Sequence, residues 1–372
     1  MKSKISKRLS LLVLALPFLG QCFLLPTEED DTNAALLLAA LADNPNTGIY
    51  YAGWEWNGSA RQAIYFKDGE KTTLSPMITG QDAEARSILV TSSSIIATGY
   101  SSDASGYKAP GYWENGTWNE LPRLDNTQDG LATDAAFVGA DLYIVGYSAN
   151  GSGKSVPGYW KNGIWTALSA PSASYSSQAH AIHVDGNTVY IGGECGQATY
   201  TLPCIWTNGT RQDLSRIDNA RSAFVYDLKV VNGVVFAVGT SYNSSAVPVP
   251  VYWRDGVRTS LSVQDASRSG QAYALEVEND KIYIAGYNQT SGGIDVAAYW
   301  INGIRTDLDP VDAGEHAKLF DIALSDKSLL GAGYSDNAGG TSDPTIWENT
   351  TGNSLIANST GDGWIHDVDV VQ

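Results

Sequence analysis

Four aspartates, Asp134, Asp227, Asp321 and Asp367, stand one or two periods apart in a chain that repeats every 46 or 47 residues. Carboxylates at one repeat position offer several hard oxygen donors to a shared space. That chemistry suits a polar ligand or a cation, and a structural cation in a central channel is the only cofactor the chain suggests. The position has a structural reading as well, in which each carboxylate accepts hydrogen bonds from backbone amides of its own or a neighbouring repeat. Beside the aspartate column runs a mixed one, Arg86, Thr133, His180, Tyr226, Tyr273, Phe320 and His366. Aromatic and basic side chains in register suit the rim of a binding cavity. His180 and His366 belong to repeats that are not neighbours, which argues against a metal held by both and for rim or packing roles. The remaining candidate chemistry is sulfur. Cys195 and Cys204 flank one loop on what reads as two adjacent antiparallel strands, so a disulfide is expected in an oxidising compartment.

The elements that position these residues are read from 281–308, KIYIAGYNQTSGGIDVAAYWINGIRTDL, a pattern that recurs seven times. One anchor is a glycine closing an apolar run: Gly53, Gly99, Gly146, Gly193, Gly239, Gly286 and Gly333. The other is aromatic: Phe66, then Trp113, Trp160, Trp206, Trp253, Trp300 and Trp347. In the sixth copy Ala274-Leu275-Glu276-Val277 alternates as a two-faced strand, and Ile282 to Tyr287 is rich in β-branched and aromatic residues. Ala298-Tyr299-Trp300 makes a third strand, and the hairpin signal Asn302-Gly303 leads into an edge strand ending at Leu308. Four short antiparallel strands per repeat of this length predict a propeller blade. The fold class expected is all-β, a seven-bladed β-propeller over 48–372. The first copy starts at its second strand, Ile49 to Gly53, whereas Asp367-Val368-Asp369-Val370 at the other end match an inner strand. The C-terminal strand is therefore expected to complete the N-terminal blade, which leaves no open edge and favours a monomer. In this frame the apolar columns beginning Ile88 and Val90 pack between blades, and the polar columns approach the channel. The Tyr-Trp pairs, once per blade, are expected to pack blade on blade. Loops of about ten residues, 101–109, 149–156, 121–133 and 168–178, would gather on one face, where binding usually resides.

Before the repeats, Lys2, Lys4, Lys7 and Arg8 precede an apolar run from Leu9 to Gly20, which reads as a signal peptide over 1–21. Residues 22–47 read as an acidic tether, with a short helix capped by Asn33 over 33–43. Leu19-Gly20-Gln21-Cys22 resembles the lipobox of bacterial lipoproteins, with Gln21 in place of the usual small residue; the resemblance implies acylation of Cys22 and a lipid anchor in the membrane. The formal charge is -17, and loss of the four leader cations makes it -21. So acidic a protein is poorly suited to nucleic acid or to anionic lipid.

Enzyme signatures are absent: no nucleophile elbow, HExxH or phosphate loop occurs. Asp125 to Gly130 suggests a calcium loop only weakly, because it lacks the alternation and the later glutamate. The repeat resembles that of bacterial secreted propellers and lipoproteins whose blades read VYxAG…YWxNG…L, a likeness that covers Ile49 to Val370 and implies fold without activity. The expectation for function is a non-catalytic lipoprotein of the bacterial envelope, on the outer membrane, binding an extracellular or envelope protein or glycan through its loop face. A periplasmic scaffold is the first alternative. The second is a glycan hydrolase or lyase using acids near the channel mouth, such as Asp134, Glu315 and Asp321.

Overall fold

The computed structural model describes residues 44–325, 328–356 and 361–372. The expected signal peptide, Cys22, most of the tether and its 33–43 helix lie outside the described residues. Asn46–Gln372 make one compact unit. Its twenty-eight strands, β1 to β28 in chain order, form seven four-stranded antiparallel sheets, and among the described residues every regular element is a strand. The protein is a seven-bladed β-propeller. Blade 1 is built from both ends of the repeat array, in the order β28 (Gly363–Val371), β1 (Gly48–Trp56), β2 (Arg61–Lys67) and β3 (Glu70–Thr73). The inner strands of blades 2 to 7 are β4 (Ala83–Val90), β8 (Gly130–Val138), β12 (Gln178–Asp185), β16 (Ala223–Val231), β20 (Gly270–Glu278) and β24 (Ala317–Leu324). Each touches the next, and β28 touches both β24 and β4, so the ring closes.

Every inner strand carries one residue too many. Its register with the second strand slips at Arg86, Thr133, His180, Tyr226, Tyr273, Phe320 and, in β28, His366. Such a bulge re-aims the side chain it carries and bends the strand. It also explains the anchor glycines. A Cβ on Gly239 would lie 1.9 Å from the Phe224 carbonyl oxygen, and one on Gly99 1.9 Å from that of Glu84. The same clash recurs at 1.9 to 2.1 Å for Gly53, Gly146, Gly193, Gly286 and Gly333. Room for the bulged backbone, rather than turn geometry, requires the absent side chain.

The core lies between blades, as the apolar columns predict. Seven buried clusters fill the seven interfaces; one joins Tyr50, Ala52 and Leu74 to Ile88 and Trp113, another joins Phe66 and Ile64 to Ala332 and Val368. The tryptophan anchors are its centrepieces, at most 1% exposed. Each donates its indole N–H to a carbonyl of the segment leading into its own blade: Trp113 to Ser75 at 2.7 Å, Trp160 to Pro122 at 2.9 Å, Trp347 to Asp309 at 2.8 Å. Phe66 fills the same place in blade 1 without an N–H to give. Blades 2 and 3 add Trp118 and Trp165, each 4.5 Å from its anchor tryptophan, over Gly111 and Gly158 where a Cβ would strike the added ring.

The loops differ from expectation. Those between second and third strands are five residues in five blades (103–107, 150–154, 243–247, 290–294, 337–341) and four in the other two (57–60, 197–200). Asp103 Oδ1 accepts from the amides of Ser105 and Tyr107, and Asn150 and Asn243 repeat the arrangement. The strands simply run further than the glycine-rich sequence suggests, because an Asx turn, or at Thr290 its hydroxyl counterpart, closes most of these loops early. The segments between blades are pinned as well, Met77 N–H to the buried Ser101 Oγ at 2.8 Å and Leu124 N–H to Ser148 Oγ at 2.8 Å. In the sequence resembling a calcium loop, Asp125 Oδ1 caps such a turn through the Thr127 amide and hydroxyl. Cys195 and Cys204 form the expected disulfide.

Gly239→Ala is the direct test of the bulge clash. It should cost at least about 3 kcal/mol in chemical unfolding, since the obstructing atom is backbone and cannot swing aside; a loss under 1 kcal/mol would mean that the bulge is not required.

Candidate functional site

The bulges place two neighbouring columns on one wall. In a regular strand Asp134 and Thr133 would point to opposite faces. With Thr133 extra in the register, both line a cavity of about 270 Å³ at the loop-face end of the channel, together with the rest of the mixed column. All nine candidate residues named for the channel and its rim therefore border one space: Asp134, Asp227, Asp321 and Asp367, with Arg86, His180, Tyr226, Tyr273 and His366.

The aspartates stitch the ring. Asp134 Oδ1 accepts from the Ala135 amide at 2.7 Å, and its Oδ2 reaches across the interface to the Ile182 amide at 2.8 Å. Asp227 does the same with Leu228 and Leu275, Asp321 bonds Val368 at 2.8 Å, and Asp367 bonds Ile88. One tier lower Asp369 bonds the Val90 amide at 2.9 Å. These bonds realise the structural reading of the aspartate column.

They also crowd acids together. The carboxyls are reached by water only from the channel and are otherwise enclosed by protein. Burial pushes Asp134 up to about 6 against the pull of its two amide bonds, with Ser87 aiding the pull and the charge of Asp321 aiding burial. Burial and then the charges of Asp321 and Asp134 raise Asp227 well above the usual range. Burial drives Asp321 and Asp367 upward as well, and the charge of Asp321 adds to the rise of Asp367. The acids do not converge as a chelate would. Among the described residues the one triplet of His, Cys, Asp or Glu ligand atoms within 4.8 Å is Cys195, Cys204 and Asp213, whose two sulfurs are spent on the disulfide.

Above the aspartates the bulged residues make an aromatic arc over five consecutive blades. Ring centroids are 5.8 Å apart for His180–Tyr226, 5.5 Å for Tyr226–Tyr273, 5.4 Å for Tyr273–Phe320 and 5.5 Å for Phe320–His366. A second layer backs it, with Trp364 5.7 Å and Tyr334 5.7 Å from Phe320, and Tyr287 stacked 6.0 Å from Tyr273. His180 and His366 are separate, as their blades imply. Each faces its own acid, His180 Nε2 3.6 Å from Glu194 and His366 Nε2 2.8 Å from Glu84.

Glu84 was not legible in the sequence, because its column reads Leu131, Gln178, Phe224, Gln271, Lys318 and Trp364 in the other blades. It is fully buried. Arg61 lies 3.0 Å from Oε2 and Arg86 2.8 Å from Oε1, and the Tyr100 hydroxyl is 3.3 Å from Oε2. Burial alone would raise this carboxyl, but the His366 hydrogen bond and the charges of Arg86 and Arg61 hold it well below the usual range. His366 is itself pulled below its ordinary value by burial and by Arg86. At neutral pH its Nε2–H donates to an ionised Glu84. A charged residue at a buried strand position, breaking the pattern of its repeats, was the available signal. Glu315, considered with Asp134 and Asp321 as an acid at the mouth, instead borders a depression with Ile294 and Pro310 and does not join them.

Compared with protein-family models and with curated proteins, the chain matches none.

Because Asp134 titrates higher in the fold than when unfolded, its contribution to stability is complete below the unfolded value of 3.8 and is lost as pH rises through about 6. Glu84 has the opposite sign and weakens the fold only as pH falls below the carboxylate range. Unfolding free energies of Asp134→Asn and of the unaltered protein should therefore converge from pH 5 to pH 8, or cross, by about 1–2 kcal/mol in the variant's favour. A pH-independent difference would show that Asp134 is ionised throughout.

Proposed function

We propose that the protein is a non-catalytic binding module of a bacterial envelope, anchored by lipid at Cys22, that takes a glycan at the loop-face mouth of its channel. The observation that carries this reading is the aromatic arc over a floor of carboxyl groups, within one cavity. Sugars present apolar C–H faces to aromatic rings and hydroxyls to acids, and pockets that orient small ligands combine apolar walls with a few placed polar groups. Short, self-bonded loops favour the mouth over the loop tips as the place of contact.

Asp321 and Asp367 give an enzymatic reading one specific support, since two raised carboxyls in contact resemble an acid pair. Glycosidases, however, place their two carboxyls about 5–5.5 Å or about 6.5–9.5 Å apart, to leave room for the sugar and the water. Here each is committed to a backbone amide of the next blade, Asp321 to Val368 and Asp367 to Ile88, and serves as a cross-link of the ring. Binding without turnover is the better account.

On a glycan array the protein should bind a defined subset of sugars. Phe320→Ala should weaken that binding at least tenfold, about 1.4 kcal/mol, with the melting curve retained; an array with no bound sugar would remove the glycan reading. For the anchor, cells fed labelled palmitate should label the protein and leave Cys22→Ser unlabelled. Protease added to intact cells should digest it while a periplasmic control survives. Survival until the outer membrane is opened would favour the periplasmic scaffold instead.

A further inference from the structure

The mouth meets a second cavity at its inner end. A second cavity of about 330 Å³ occupies the turn-face end of the channel, and the two share Lys229, Glu276 and Val368 as lining. Lys229 and Glu276 form an ion pair from blade 5 to blade 6 at that junction. The wall has no lateral opening, because the seven inner strands follow one another in contact all the way round. A ligand therefore enters along the axis and meets the Lys229–Glu276 pair at the junction. The space of about 270 Å³ lies under the roughly 300 Å³ at which pockets for drug-sized molecules begin, so one ring fills it.

Charge narrows the choice. The two cationic side chains of the lining are already paired, Arg86 with Glu84 and Lys229 with Glu276. An acidic sugar would meet Arg86, which shares Glu84 with Arg61, only in the company of four aspartates that oppose it. An ammonium group would find carboxyls whose oxygens already accept backbone N–H groups, so that its desolvation is poorly repaid. Carboxyls whose affinity for protons is raised by burial, Asp227 more than Asp134, can donate as well as accept, which is what hydroxyl groups need.

We propose that the mouth receives a single neutral pyranose end-on, its face against Tyr226, Tyr273 and Phe320 and its hydroxyls towards Asp134 and Asp227, and so recognises the ends of glycan chains. The inference rests on the glycan reading above and specifies the unit bound. A unit inside a chain has a neighbour on each side, and the closed wall leaves the second only the axial way past the Lys229–Glu276 pair.

Titration of the whole protein, followed by tryptophan and tyrosine fluorescence, would use methyl glycosides of neutral hexoses and N-acetylhexosamines, a methyl hexuronoside and choline. One neutral glycoside should bind, compete fully with the oligosaccharide it terminates, and match that oligosaccharide within about threefold. Tyr273→Ala should weaken it at least tenfold; Phe320→Leu serves if that variant does not fold. Oligosaccharides that bind but are not displaced by any single unit, or that tighten more than tenfold with each added unit, would overturn end-on capture while leaving glycan binding intact. Tighter binding of the hexuronoside or of choline would overturn the neutral pocket. Absence of any sugar binding, on the array as in titration, would remove both readings together.

Discussion

A carbonyl oxygen directed at the place where a Cβ would stand governs this molecule. Each inner strand carries an extra residue, and the backbone displaced by it occupies the volume that any side chain on the anchor glycine would need. From that one constraint follow the glycine in every blade, the aim of the mixed column and the two adjacent tiers of side chains on the channel wall. Ordinary alternation would have turned one of those tiers into the blade interface. The bulge thus converts a structural strand into one that presents chemistry, and it does so seven times.

The second tier shows how a ring of acids can be tolerated. Each aspartate reaches across a blade interface to an amide at the neighbouring bulge, so its carboxyl serves as a cross-link between sheets that share no strand-to-strand ladder. The cross-link keeps four acids close together in an enclosed space, and their affinity for protons rises accordingly. Glu84, two residues before the bulged Arg86, has the contrary environment, with two guanidinium groups and an imidazole. Acids of the channel wall and of the interface behind it are therefore pushed in opposite directions, by burial in the first case and by charge in the second.

Much of the fold was legible because a repeat supplies seven readings of one pattern. The period of the glycine and tryptophan anchors, the Asn-Gly hairpins and the unmatched strand at each end were enough to specify seven blades and their closure. The candidate aspartates and rim residues were found as columns, and they do border one cavity. What escaped was whatever did not repeat or acted at a distance. Glu84 and Arg61 form their cluster once, at the blade 1 to blade 2 interface. Trp118 and Trp165 need Gly111 and Gly158, a pairing between positions of one blade that column-by-column reading does not compare. The loops were read as long because glycine and serine look irregular in sequence, whereas Asp103, Asn150 and Asn243 turn the same residues into closed five-residue turns.

The strand β28 joins what the chain keeps furthest apart. Its Asp367 bonds the Ile88 amide over 279 residues of sequence, its Asp369 bonds Val90, and its His366 meets Glu84. Six blades can assemble from contacts between neighbours in the chain, but the seventh waits for a strand made long after its partners. Slow closure is the kinetic cost of such distant pairing. Until β28 is made the ring stays a gapped arc, and only with that strand in place can it lock.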